Sequence, residues 1–267
     1  MIRVHQPPIA CIGVFDSGVG GLTVLRALRR ALPFAPLHYV ADTAFAPYGE
    51  RPSEFIQQRS LAIAEHLWNS GAKLLVVACN TATAHAVTTL RQRWPDRPIV
   101  GIEPGIKPAV AASRNKRIGV LATPATLASA RYQALLSEHA PEVQVISQPC
   151  PGLAGLIETG QLASPALIEL VERCCAPLRQ SMVDTVLMGC THYPLIQALL
   201  QEKLGSGVQL LNVEDAVARQ ALRFWAASDD TKSAFLRLEA TGELTGLQAL
   251  APAALANAPF TLDKVSI

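Results

Sequence analysis

The sequence predicts an α/β protein built as two similar three-layer domains, each a mostly parallel sheet between helices, pseudo-symmetric and with an active site between them. Three observations carry this. Apolar, β-branched runs such as Leu74–Val77 alternate with segments of helical period, and continuous apolar strands are what a parallel sheet covered on both faces requires. The strand-helix series starts afresh after Glu103-Pro104-Gly105. Two strands end alike, at Ala78-Cys79-Asn80-Thr81 and at Gly189-Cys190-Thr191-His192. Each places a cysteine at a strand's carboxyl end, where open α/β sheets bind ligands.

Residues 1–8 read as a loose leader. Ile9–Phe15 is the first predicted strand, followed by the turn Asp16-Ser17-Gly18-Val19-Gly20-Gly21 and a helix from about Leu22 to Leu32, stopped by Pro33. Leu37–Val40 is the second strand, and Ala41–Arg51 a loop. Ser53 is the expected N-cap of a helix with Ile56, Ser60, Ile63 and Leu67 on one stripe, closed at Gly71. The Cys79 strand follows, then a helix expected at Thr83–Arg93, then a strand at Ile99–Ile102. In the second series the strands are Arg117–Ala122, Val143–Ser147, Thr185–Met188 and Val208–Asn212. The first of these strands ends at Thr123-Pro124-Ala125-Thr126, a helix follows to about Glu138, and further helices run over Pro165–Met182 and Leu195–Leu204. Asp16 precedes Cys79 by 63 positions and Thr123 precedes Cys190 by 67, so the cysteine strands stand at matching places in an internal repeat. A helix from Glu214 to about Ala227 is presumed to return to the first unit, which gives domains of 9–103 with 214–267, and 104–213. The tail from Thr231 to Ile267 shows no clear period.

Composition narrows the function classes. Half of the 267 residues are hydrophobic and 16% are charged, which excludes a disordered chain. A net charge of +2 without a dense Lys/Arg run argues against a nucleic-acid partner; Arg26, Arg29 and Arg30 read as one solvated helix face. No run reaches the ~18 apolar residues of a spanning helix, and the Pro7-Pro8 start lacks a signal peptide's apolar core. The expectation is a cytoplasmic protein without a membrane partner. Its six cysteines are then reduced, and with no C-x-x-C pair they offer neither a zinc knuckle nor a redox dithiol. Cys11, Cys174 and Cys175 read as small buried hydrophobes, and His5 and His38 as surface histidines.

The chemistry gathers at strand ends. The glycine turn fails the dinucleotide fingerprint because Thr23 stands where the third glycine belongs. What remains is Asp16 and Ser17 beside helix-terminal N–H groups, an anion site or simply a structural turn. Asn80 and Thr81 supply donors next to Cys79. Thr191 and His192 flank Cys190, and an adjacent imidazolium lowers a thiol's pKa from about 8.5. In Ala46-Pro47-Tyr48-Gly49-Glu50-Arg51, Tyr48 and the Gly49 N–H either close over a small ligand or only form a turn. Glu158, expected just after a strand, is a lone carboxylate, functional or solvated. Moving an α-proton from one face of a carbanion to the other needs a group on each side, one thiolate and one thiol. Two facing domains that each present a cysteine meet that need.

The blocks Phe15-Asp16-Ser17-Gly18-Val19-Gly20-Gly21-Leu22, Pro47-Tyr48-Gly49, Ala78-Cys79-Asn80-Thr81-Ala82, Glu103-Pro104 with Lys107-Pro108-Ala109, and Gly189-Cys190-Thr191-His192-Tyr193-Pro194 resemble the bacterial glutamate racemases of the aspartate/glutamate racemase family. The resemblance implies a cofactor-independent enzyme, without metal, in which Cys79 and Cys190 exchange the α-proton. It implies that Asp16, Ser17, Tyr48, Gly49, Asn80, Thr81, Thr191 and His192 contact the substrate, glutamate. Asp16 and His192 would also assist the thiols, and Glu158 would support them. Cytoplasmic D-glutamate supply for peptidoglycan and a homodimer are further implications. A related racemase acting on aspartate is the nearest rival, since one methylene separates substrates by only about 1–3 kcal/mol. A metal-binding module using Cys79, Cys190 and His192, and a non-catalytic binding protein of the same fold, are readings of other classes.

Overall fold

The computed structural model describes residues 9–225 and 234–267. The leader with His5, and the start of the tail at Thr231, lie outside the described residues.

Two parallel sheets form the frame. The first contains β1 (Cys11–Asp16), β2 (Leu37–Ala41), β3 (Ala72–Val77) and β4 (Ile99–Gly101). The second contains β5 (Arg117–Ala122), β6 (Gln144–Pro149), β7 (Thr185–Met188) and β8 (Gln209–Leu211). Their orders are β2-β1-β3-β4 and β6-β5-β7-β8, the same winding twice. Two late strands, β9 (Leu236–Ala240) and β10 (Thr261–Lys264), extend the first sheet beyond β2, again in parallel. The tail is therefore sheet and helix, not an unpatterned cover.

Helices lie on both faces. In the first unit α1 (Leu22–Ala31), α10 (Glu214–Phe224) and α11 (Thr245–Ala254) pack against Ile12, Val14, Tyr39 and Val76. On the opposite face α2 (Ser53–Asn69) and α3 (Asn80–Arg93) cover Phe15, Val40, Leu75 and Val77. In the second unit α7 (Leu153–Glu158), α8 (Pro165–Gln180) and α9 (Gln197–Leu204) cover Leu121, Val186 and Met188. Its other face carries α4 (Ile106–Ala112) and α6 (Ala130–His139), with the short α5 (Pro124–Ala128) leading into α6. Because neighbouring residues of one strand feed opposite cores, central runs such as Leu74–Val77 and Val186–Met188 are apolar without a break.

Several boundaries differ from the sequence reading. The α2 stripe Ile56, Ser60, Ile63 and Leu67 is fully buried, but Pro52 is the N-cap. The Ser53 hydroxyl accepts from Gln57 Nε2 and lies 3.1 Å from His85 Nδ1. The α3 helix starts at Asn80, three residues early, because Cys79 itself caps it. Glu158 does not follow a strand: it is the last residue of α7. His38 is not on the surface but buried at 2% exposure, since β9 pairs along β2 and buries Glu239 beside it. Among the described residues no helix is long and apolar enough to cross a membrane.

Candidate active site

Three strand ends in register assemble the site. Asp16 closes β1 and pairs with Ala41 of β2, while Phe15 pairs with Val77, two residues before Cys79. In the second sheet Leu121 pairs with Met188, two residues before Cys190.

Cys79 is 5% exposed, and its sulfur accepts the Ala82 N–H at 3.4 Å as the cap of α3. The thiol donates to Ser17 Oγ at 3.7 Å, and that hydroxyl donates to Asp16 Oδ1 at 3.3 Å. A thiol, a hydroxyl and a carboxylate thus form a chain. Burial, and then the Asp16 charge, push the Cys79 thiol up to about 12, against the pull of the Ala82 and Ser17 hydrogen bonds. Asp16 is fully buried, and burial raises its carboxyl to about 6 although His192, the Gly18 N–H and the Thr191 hydroxyl pull it down. The carboxylate accepts that N–H at 2.8 Å and, across to the second unit, the Thr191 hydroxyl at 2.8 Å.

Cys190 has different company. Its sulfur lies 3.6 Å from His192 Nδ1, and the far nitrogen of that imidazole pairs with Glu158 Oε1. Burial disfavours the imidazolium, but the Glu158 charge and the hydrogen bonds to Cys190 and Glu158 outweigh it, so His192 titrates well above the usual histidine range. Glu158 Oε1 also accepts the Val19 N–H of the first unit at 2.8 Å. Close backbone approach demands glycine here: a Cβ on Gly20 would stand 2.5 Å from His192 Nδ1.

The remaining sequence candidates make contacts of their own. Thr81 Oγ1 lies 3.0 Å from Thr123 Oγ1 and 3.1 Å from Thr126 Oγ1, again between the units. Gly49 packs so tightly on Thr123 that a Cβ would approach to 2.6 Å. Tyr48 is buried and donates to the Asp42 carboxylate. Asn80 is 3% exposed, yet neither its amide nitrogen nor its oxygen has a partner among the described residues.

Sequence reasoning missed the groups behind these. Asp42 also takes the Arg59 guanidinium at 3.0 and 2.8 Å and the Thr241 hydroxyl at 2.8 Å. Tyr39 donates to the Gly18 carbonyl and holds the glycine turn. Arg59 sits off the apolar stripe of α2, and Thr123 marks the repeat, so both carried a signal; Thr241 carried none. A cavity of about 240 Å³ lined by Thr43, Pro47, Gly155, Glu158 and Gly246 borders the site, whereas none of its residues lines the 890 Å³ cavity at Arg91, Glu103 and Phe224.

A family model described as Asp/Glu/Hydantoin racemase matches residues 12–221. The chain belongs to that racemase family. A "Glutamate racemase" of Pseudomonas syringae pv. tomato is 53% identical over 219 residues, covering 82% of this chain and 80% of that protein. Among solved structures, a glutamate racemase isoform from Bacillus anthracis superposes with a TM-score of 0.85 at 32% identity, covering 97% and 98% of the two chains. The Escherichia coli glutamate racemase, solved with L-glutamate and the activator UDP-MurNAc-ala, gives 0.83 at 32% identity, covering 97% and 99%. As in this racemase family, the present chain is α/β with two parallel sheets.

Proposed function

We propose that this racemase-family chain interconverts L- and D-glutamate by a two-base mechanism without a cofactor. The observation that carries the reading is the pair of buried thiols at equivalent strand ends, held in one network but given unlike partners. Toward L-glutamate, Cys190 takes the α-proton with the His192 imidazolium beside its sulfur, and the protonated Cys79 delivers a proton to the other face. Toward D-glutamate, Cys79 passes its own proton along Ser17 to Asp16 and takes the α-proton, while Cys190, protonated by the His192 imidazolium, delivers a proton to the other face. Each thiol alternates as base and acid, as general acid–base catalysis requires. Asn80, Thr81, Thr191 and the Gly49 N–H are assigned to the substrate's carboxylates and amine, and Tyr48 to the lid over them.

We place the domains at 9–103 with 214–267 and at 104–213, closing on the ligand, since thiols 5% and 6% exposed require an opening for substrate entry. The reading extends to a cytoplasmic homodimer that supplies D-glutamate for peptidoglycan. Glutamate is preferred over aspartate on the strength of the named relatives at about half identity. The test is racemisation of each glutamate enantiomer by chelator-treated protein with no pyridoxal phosphate. Equal approach to a racemate from both sides is expected; inactivity with glutamate, activity confined to aspartate, or dependence on added cofactor overturns the proposal.

A further inference from the structure

Outside the thiol network, His38, His66 and Glu239 are the one group of metal-ligating side chains, among the described residues, whose ligand atoms converge, all within 4.8 Å of one another. Strand pairing builds the group. In the parallel β2–β9 pair Val40 stands opposite Glu239 and His38 opposite Arg237, so His38 and Glu239 share a face, and α2 lays His66 over it. Glu239 Oε2 is 2.6 Å from His66 Nε2 and 2.9 Å from His38 Nε2. His38 and Glu239 are 2% exposed, and His66 at 25% forms the rim. The 2.9 Å contact is within ion-pair range, yet the His38 nitrogen is not aligned for a hydrogen bond to that oxygen. A buried ring nitrogen is thus aimed into the group without a partner of its own.

We propose that these three side chains bind one divalent transition-metal cation of the zinc type, through both Nε2 atoms and Glu239 Oε2. Two imidazoles and a carboxylate, with a fourth position for water, are a donor set that zinc accepts. Around a tetrahedral ion with bonds of about 2.0–2.1 Å, ligand atoms stand about 3.3 Å apart. The contacts to Glu239 therefore lengthen, by about 0.7 Å at the rim residue His66 and about 0.4 Å at His38. Arg237 Nη2, 2.5 Å from Glu239 Oε1, orients the carboxylate through the oxygen the metal does not use, as partners of ligating carboxylates do. The bound cation ties β9 of the tail to β2 and α2. It lies apart from the thiols: His38 is three residues before Ala41 at the strand's carboxyl end, about 10 Å along β2.

The test uses the full chain, stripped with chelator, carrying Cys79→Ser and Cys190→Ser so that those thiols cannot hold metal. Equilibrium dialysis against zinc chloride with elemental analysis is expected to find about one zinc per chain and a raised melting temperature. Cobalt(II) in place of zinc should show d–d absorption without a thiolate-to-cobalt charge-transfer band. His66→Gln, at the rim and so least disruptive to folding, should weaken binding by at least about 100-fold, while the same substitution in the parent chain leaves racemisation unchanged. No zinc uptake by the stripped protein, uptake unaltered by His66→Gln, or a thiolate charge-transfer band overturns the site and leaves a hydrogen-bonded clasp.

Discussion

Gly18→Ala tests the Glu158–His192 arm without touching either residue. A Cβ at Gly18 would stand 1.7 Å from Glu158 Oε1 and 2.3 Å from its Cδ, so the carboxylate must move. Backbone strain is not the cause, because φ of −166° is extended and open to any residue. The displaced oxygen is the one that accepts the Val19 N–H and pairs with His192. A hydrogen bond to a charged group is worth about 1.5–3 kcal/mol, and removing one partner of a buried ion pair costs about 3–5 kcal/mol. Glu158 is 15% exposed and borders a 240 Å³ cavity into which it can swing, so the lower end, about 3 kcal/mol, applies. At about 1.4 kcal/mol per factor of ten, that is a fall of about 10²-fold in kcat if the arm acts in the transition state. Initial rates from L-glutamate, followed by circular dichroism alongside a melting curve, read it. Adding Glu158→Ala to Gly18→Ala should cost little more, since the carboxylate has already left its partners. A Gly18→Ala enzyme within about threefold of the parent, or fully additive losses, refutes the reasoning.

Other expectations follow from the same geometry. Cys79→Ser and Cys190→Ser should each lose racemisation by about 10²–10⁴-fold. With an analogue carrying a leaving group at Cβ, Cys79→Ser should still eliminate from the L-isomer and Cys190→Ser from the D-isomer; near-parental racemisation by either defeats the two-base reading. Ser17→Ala breaks the path from Cys79 to Asp16, so elimination from the D-isomer should slow and that from the L-isomer should not. Asp16 has its folded pKa raised from 3.8 to about 6, so it binds a proton more readily folded than unfolded, and stability is lost as pH rises through that window. Asp16→Asn should therefore be the more stable protein above pH ~6, by about 3 kcal/mol, with the advantage gone below pH ~4. Melting curves across pH decide it, an unchanged gap being the contrary result. Arg59→Met leaves the fully buried Asp42 without its guanidinium and should cost about 3–5 kcal/mol in denaturant unfolding; a loss under about 1 kcal/mol would show that Asp42 is held by its hydroxyl donors instead.

What could be read in advance follows a physical division. Both sheets were legible because doubly covered strands carry uninterrupted apolar runs, as in Leu74–Val77 and Val186–Met188, and because the cysteine strands repeat. The tail was not. Leu236-Arg237-Leu238-Glu239-Ala240 alternates as a strand should, but Arg237 and Glu239 mimic a solvated face. The two histidines opposite, with Arg237 on the other oxygen, explain a buried Glu239. His38 failed for the same reason from the other side, since a histidine's partner cannot be seen when it lies some two hundred residues away. Glu158 was found as a residue and misplaced as an element: Leu153–Glu158 is six residues long, too short for helical period to show. Contacts between the units, such as Thr81 with Thr123 or Asp16 with Thr191, depend on how two sheets face each other, and no local pattern encodes that.

The two units share a winding but not their chemistry, and the difference sits where the repeat ought to match. In the first unit the strand end carries an acid, Asp16; at the corresponding place in the second stands Thr123. After the cysteine, the first unit has Asn80-Thr81 and the second Thr191-His192. Each unit then lends to the other. Thr191 of the second steadies Asp16 of the first, and the Val19 N–H of the first steadies Glu158 of the second. A symmetric site would give both thiols the same surroundings and thus the same resting protonation, which two-base racemisation cannot use. Here burial, and then the Asp16 charge beyond Ser17, hold Cys79 as a thiol, while Cys190 faces an imidazole backed by Glu158. Because each arm is completed by a residue of the other unit, the two-base mechanism proposed above calls for the two units in this arrangement.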